Sequence, residues 1–287
     1  MPSVNEIRRR IRSVENTAKI TKAMSMIAAS KMRRAQDMAI QGRPYAERML
    51  SILQDVAAQP HDEDSIHPLL DNRESIKNTT LILITPDRGL TGGLHSKINR
   101  LAGEHIVEQN IDTDIISVGR KGRDFMLRTG QNVKAVFSDL GDRPPLSDIT
   151  PITKIVIDAY TNQETDSVQM IYSDFISTTV QTPKVKTLLP VNPSELPASA
   201  SSGYIYEPDP NQVLSELLPR FVEMEVYHAV LESIASEQSA RMVAMRGATD
   251  NANEMIVDLT LEMNKARQEN ITTELLDIVS GAAAVSS

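Results

Sequence analysis

From Ser3 to Gln59, apolar and small residues return at alternating spacings of three and four. They are Ile7, Ile11, Val14, Ala18, Thr21, Ser25, Ala28, Met32, Ala35 and Ala39. That period predicts one long helix with a continuous seam. Ser3 stands as N-cap with Glu6 three residues on, the spacing of a capping box. Pro44, in "GRPY", is the expected place for a bend. The seam opens with branched residues and continues with small ones, which let a partner helix come close. A second stretch, Pro210 to about Ser280, repeats the spacing through Leu217, Phe221, Met224, His228, Leu231, Ala235, Gln238, Met242, Met245, Thr249, Ala252, Ile256, Leu259, Met263, Ala266 and Asn270. Twelve of these sixteen are apolar, and the period lasts long enough to mark a coiled coil. The polar members suit the fixing of register.

Between the two helices the period changes. "TTLILITP", "TDIISVG", "QNVKAVF", "DSVQMIYSDFIS" and "PKVKTLLPV" read as strands. "HSKINRLAGEHIVEQ", "GRKGRDFMLRTG" and "LSDITPITKIVIDAYTN" read as helices between the early ones. Such alternation implies a largely parallel sheet with helices on its faces. "NPSELPASASSGY" reads as a linker. The expected fold is mixed α+β and α/β: a long antiparallel coiled coil of N- and C-terminal helices carrying a central Rossmann-like α/β domain. Its divisions are residues 1–59, 74–191 and 208–287. At 1.5 Å per residue the first helix extends about 80 Å and the second about 105 Å. The second therefore overhangs the first by roughly 25 Å, near "KARQENITTELLDIVSGAAAVSS". An end that long has no partner in its own chain and calls for another protein to sheathe it.

Composition narrows the chemistry. The chain has no Cys and no Trp, and 3% aromatic residues. Disulfides, thiolate metal sites and cysteine catalysis are excluded, and compact all-β folds are disfavoured. No apolar run is long enough to span a bilayer. The opening reads directly as helix, so no secretory or transit segment is expected, and a bacterial-type cytoplasmic protein is the simplest reading. The net charge of −8 hides a division. Residues 1–50 hold 11 Lys/Arg against 4 Asp/Glu, a net of +7, whereas residues 208–287 hold 5 against 13, a net of −8.

"TPDRGLTGGLHSKINR" sets Gly89, Gly92 and Gly93 where the first strand hands over to a helix. A P-loop needs a Lys after its last Gly, and here Leu94 follows Gly93. The G-x-G-x-x-G spacing is also missing. A tight structural or partner-facing turn is favoured over a nucleotide site, with Asp87 and Arg88 placed to brace it. "HDEDSIH", His61 to His67, gathers potential metal ligands in a polar connector, where a solvated loop is the expectation. No nucleophile–base pair or paired carboxylates stand out. "IRRRIRSV" and "KMRRAQ" make a basic face. It lacks the aromatic residues that usually accompany nucleic-acid binding and a strong apolar face for a membrane. Two readings stay open: the charges face solvent or the acidic C-terminal helix, or they hold an acidic protein partner.

Three stretches resemble the gamma subunit of F-type ATP synthases. They are "EIRRRIRSVENTAKITKAMSMIAASKMRRAQ", "DRGLTGGLHSKI", and "LESIASEQSARMVAMRGATDNANEMI" followed by "NKARQENITTELLDIVSGAAAV". The resemblance covers essentially the whole chain. Thr91 departs from it where Cys is common, as does Leu94-His95 where an aromatic or Leu followed by Asn is usual. The dithiol segment of chloroplast members is absent.

The resemblance implies a rotor shaft that makes and breaks no bond itself and needs no cofactor or metal. Its coiled coil turns inside a hexamer of alpha and beta subunits, and its apolar tip, Val279 to Val285, turns in a bearing. Its α/β domain sits against the epsilon subunit and the c-ring. It couples proton-driven rotation to ATP synthesis or hydrolysis on beta, as a peripheral subunit on the cytoplasmic face of the cell membrane with no insertion into it. The implied partner contacts are Arg8, Arg9, Arg12, Lys31, Arg33 and Arg34 toward an acidic loop of beta. Lys22 and Met24 lie beside that loop, Gly89, Gly92 and Gly93 in the turn, and Arg241, Gln268, Thr272 and Glu274 in the C-terminal signature. The residues alone leave two alternatives: a non-rotating coiled-coil scaffold, or a nucleotide-dependent α/β domain with helical arms.

Overall fold

The computed structural model describes residues 3–57, 67–73, 75–192 and 209–285. It begins with helix α1 (Val4–Ala57), which runs through Pro44. A 3-10 turn over Pro68–Leu70 follows. Then come β1 (Asn78–Ile84), α2 (Leu94–Gln109), β2 (Asp112–Val118), α3 (Arg120–Arg128), β3 (Asn132–Phe137), α4 (Leu146–Thr161), β4 (Ser167–Phe175) and β5 (Gln181–Leu189). The last element is α5 (Pro210–Val285), 76 residues long. Ser3 caps α1, its hydroxyl accepting from the Glu6 N–H at 3.3 Å. The chain divides into two compact units, residues 1–28 with 242–287, and residues 29–241.

In the larger unit the strand order is β3-β2-β1-β4-β5. β1 to β4 run parallel, and β5 returns antiparallel to β4. β1 is central and buried on both faces, as a parallel sheet wrapped by helices demands. Side chains alternate across it. Leu81 and Leu83 pack with Ile98 of α2 and Met126 of α3. Ile82 and Ile84 join Ile152 and Val156 of α4, Leu53 of α1 and Val226 of α5. Helices thus cover both faces of a Rossmann-like sheet, and segments of both terminal helices form part of one layer. α5 is correspondingly buried well beyond its seam, through Leu218, Val222, Val226, Val230 and Ser233. Ser236 donates to the Ser173 carbonyl of β4 at 3.0 Å. The cross-strand neighbour of Ser173 is Pro183, which has no N–H to offer.

Asp166 fastens the start of β1, accepting from the N–H groups of Lys77 at 2.8 Å and Asn78 at 3.0 Å. Arg73 lies 3.4 Å from Asp166, donates to the Tyr160 carbonyl at 2.9 Å and stacks over the Tyr160 ring.

The smaller unit is an antiparallel helix pair. Thr21 meets Thr249 hydroxyl to hydroxyl at 2.7 Å, and Ser25 donates to the Met242 carbonyl at 3.3 Å. Advancing along α1 therefore retreats along α5. All ten predicted α1 seam positions are buried or half-buried, as are the α5 positions from Leu217 to Ala266. Asn270 departs: it is exposed, as is every residue from there to Ser280. At this register α1 has run out near residue 267 of α5, so about 18 residues, or roughly 25 Å, continue beyond it with no partner among the described residues.

Candidate functional site: an exposed basic helix face, a glycine turn and a bare helix end

The turn after β1 lies at the carboxyl edge of the sheet, where ligands bind in many parallel α/β folds. Its neighbours leave little for a ligand. The Asp87 carboxylate accepts the N–H of Arg120 at 3.0 Å and that of Asp139 at 2.8 Å. It braces the turn, but through these backbone groups and not through Arg88. The Thr85 hydroxyl accepts the N–H of Gly122 at 2.8 Å, and the Pro86 carbonyl accepts that of Lys121 at 3.2 Å. The first turn of α3 is thereby satisfied from within. Gly119 makes the approach possible: at φ +102° a Cβ would lie 1.9 Å from the Thr85 carbonyl oxygen.

Gly92 is required by its φ of +56°, whereas a Cβ on Gly89 or Gly93 would meet nothing within 4 Å. Leu90 between them also holds a positive φ, 65°, with 58% of its surface exposed. The leucine is thus held against its conformational preference with its side chain in water. Arg241 reaches this turn, donating to the Gly89 carbonyl at 3.4 Å, and pairs with Glu237 at 2.6 Å. Burial pushes the Glu237 carboxyl above its ordinary value against the opposing pull of Arg241.

Arg8, Arg9, Arg12, Lys22, Arg33 and Arg34 are exposed. Arg8 donates to Asn5 at 3.2 Å and Arg34 to Ser30 at 3.0 Å. Among the described residues no ion pair ties these six side chains to α5, so they face solvent. Lys31 differs: it is half-buried and holds Asp142 at 2.6 Å. Met24 is half-buried. Gln268, Thr272 and Glu274 are exposed on α5, where the Thr272 hydroxyl donates back to the Gln268 carbonyl at 2.9 Å.

Of "HDEDSIH", residues 61–66 lie outside the described residues. His67 caps the 3-10 turn, its Nδ1 accepting from the Leu69 N–H at 3.2 Å, and burial lowers its pKa. His105 pairs with Gln169 at 2.6 Å. Two further residues enter the site: Glu237, signalled in the sequence by its place one helical turn before Arg241, and Asp142, which carries no local signal.

A helix pair with a bare end, joined to a Rossmann-like unit, can be compared with known proteins. Residues 3–285 match the family described as ATP synthase. The ATP synthase gamma chain of Dehalococcoides mccartyi strain CBDB1 is 54% identical over 285 residues, 99% of this chain and 100% of that one. The chain belongs to the ATP synthase gamma-chain family. The gamma chain of Roseiflexus sp. strain RS-1 is 50% identical over 288 residues, 99% of each. A chain of the Tetrahymena thermophila mitochondrial ATP synthase central stalk and c-ring superposes with a TM-score of 0.61 at 27% identity, over 80% of this chain and 99% of that one. A Euglena gracilis mitochondrial ATP synthase chain gives 0.68 at 18% identity over 98% and 94%, a likeness of fold.

Thr91 lies in the turn between β1 and α2. The residue is buried, and its hydroxyl has no partner among the described residues. A Cys would fill such a slot as a small apolar group. No helix among the described residues is long and apolar enough to cross a membrane.

Proposed function

We propose that the chain is the central rotor shaft of an F-type ATP synthase, coupling proton-driven rotation of a membrane c-ring to ATP synthesis or hydrolysis on beta subunits. The carrying observation is the bare end of α5. Ile271, Leu275, Leu276, Ile278 and Val279 are exposed on a helix end with no partner among the described residues. At the seam spacing the end offers Asn270, Thr273 and Asp277, so the apolar stripe has moved to another face. A surrounding hexamer of alpha and beta subunits supplies the missing cover. The side chains of residues 281–285, the last part of the tip, lie outside those described.

The six exposed cations of α1 suit an acidic loop on beta, reached without breaking any ion pair among the described residues. Leu90 and the open positions at Gly89 and Gly93 suit a partner passing close. Gln268, Thr272 and Glu274 stand on the bare end for contacts with the same hexamer. The chain moves no bond itself. An asymmetric shaft makes different contacts with each beta subunit at each angle, and that difference biases their conformations. The α/β unit rests against epsilon and the c-ring, which makes the chain a peripheral member of a membrane complex, on the cytoplasmic face. Co-purification tests the reading: one copy should accompany three alpha and three beta subunits. Any other ratio, or hydrolysis by the isolated chain, overturns it.

A further inference from the structure

Three loops at the carboxyl edge of the sheet close on α5 within four residues of one another. The Gly89 carbonyl accepts from Arg241 at 3.4 Å, Asp142 from the Gln238 amide at 3.3 Å, and the Thr178 carbonyl from the Ser239 hydroxyl at 2.6 Å. The other oxygen of Asp142 takes Lys31 of α1 at 2.6 Å. Successive helical residues point about 100° apart, so these α5 side chains leave the helix over an arc of roughly 160°.

We infer that these contacts form a torsion-bearing collar in which Asp142 is the positioning residue, and that Lys31 serves Asp142 rather than an outside partner. The inference rests on the rotor reading and deepens it. A shaft must take up torque from the sheet before its helices run on. Apolar burial holds α5 against the sheet, but it is non-directional and resists turning about the helix axis only as far as side chains interlock. At the level of the collar α5 presents small residues, Ser233, Ser236, Ser239 and Ala240, so interlock there is shallow, whereas the large buried side chains Val222, Val226 and Val230 lie earlier on the helix. Hydrogen bonds and ion pairs fix orientation. Gln238 is buried, so its amide gains more from Asp142 than an exposed one would. Of the collar groups, Asp142 bonds both helices, so turning α5 loads α1 through the same carboxylate. Lys31 sits in the basic row of α1, but unlike Arg33 its ammonium is already engaged within the chain.

The test uses the complete enzyme in liposomes with Asp142→Ala, Asp142→Asn, Lys31→Asp, and the reversed pair Lys31→Asp/Asp142→Lys. A probe on the α/β unit reports angular fluctuation against a fixed hexamer, and pumping is measured beside ATP hydrolysis. Two of the four collar contacts end on Asp142, so Asp142→Ala should widen the angular variance about twofold if the contacts add. Pumping per ATP should fall while hydrolysis persists. Asp142→Asn, which keeps an oxygen for Gln238 and should fold where Ala does not, widens it less. The reversed pair should recover most of what Lys31→Asp loses. An unchanged variance in Asp142→Ala overturns the collar. So does a reversed pair no better than Lys31→Asp, which would return Lys31 to an outside acidic partner. A parent enzyme lacking one chain per three alpha and three beta subunits would instead sink the rotor reading on which the collar rests.

Discussion

Replacing Ile7 by Ala should loosen the end of the helix pair. Of the α1 seam residues that are fully buried in the smaller unit, namely Ile7, Ala18, Thr21 and Ala28, Ile7 alone is large, and it has 0% exposure. The seam elsewhere relies on close approach of small residues, so little apolar area holds its end. Ile→Ala removes three carbons, each worth about 0.8 kcal/mol when buried. The transfer loss is about 2.4 kcal/mol before any cavity term, within the range for such truncations. Because the site is at a helix end, the loss falls on local opening rather than on the whole fold. At 1.36 kcal/mol per decade, amide exchange there should quicken by roughly 60-fold. Hydrogen exchange read by mass spectrometry on peptides covering residues 4–14 and 256–266 measures this directly, with the strands of the larger unit as internal reference. Ile20→Ala is the control: Ile20 is 59% exposed, and its loss should stay within about 0.5 kcal/mol. Exchange in Ile7→Ala within about threefold of the parent, or an equal effect from Ile20→Ala, would refute the argument that one anchor holds this end.

Two further outcomes are expected. Replacing Arg8, Arg9 and Arg12 together by Glu should leave helix content unchanged by circular dichroism, since no ion pair among the described residues uses them, while lowering ATP synthesis in membrane vesicles; synthesis at the parent rate counts against the basic-face contact. Asp166→Asn should lower stability by about 1–3 kcal/mol at neutral pH. The N–H groups of Asn78 and Lys77, then Arg73, hold the Asp166 carboxyl below its ordinary value. Its contribution is therefore present above the unfolded pKa near 4 and is lost as pH falls through the folded value. In urea melts the gap should begin to narrow below about pH 4 and close once the pH lies below the folded value, and a gap independent of pH would rule out the charged carboxylate as the cause.

The helix pair was legible because it repeats one simple period. Every α1 seam position named from spacing is buried or half-buried, and the overhang followed from two lengths. The strands were legible as short apolar runs between turn residues. The fate of the lower helices was not. The α5 period continues unbroken from Leu217 to Ala266, yet below Arg241 the same helix also buries Val222, Val226 and Val230 against the sheet. Those valines were a second apolar face in plain view, but a seam traced along one face does not ask what covers the other. Asp142 was illegible for a different reason. Its partners are Lys31 and Gln238, 111 and 96 residues away, and only the folded sheet brings its loop to both helices. Asp87 shows the same limit: the sequence offered Arg88 beside it, and the fold supplied two backbone N–H groups instead.

The change of face at Asn270 bears on how such a subunit is made. Before it, the seam residues of α5 from Leu217 to Ala266 are buried or half-buried. Beyond it, Ile271, Leu275 and Ile278 are exposed, and on the rotor reading the surface that covers them belongs to another gene product. A cell that makes this chain in excess of its sleeve makes a population of molecules with adhesive ends, and those ends can find one another. Supply must therefore be matched to the ring subunits, or the surplus cleared. The helix end that suits a turning shaft also ties the chain's solubility to the count of its neighbours.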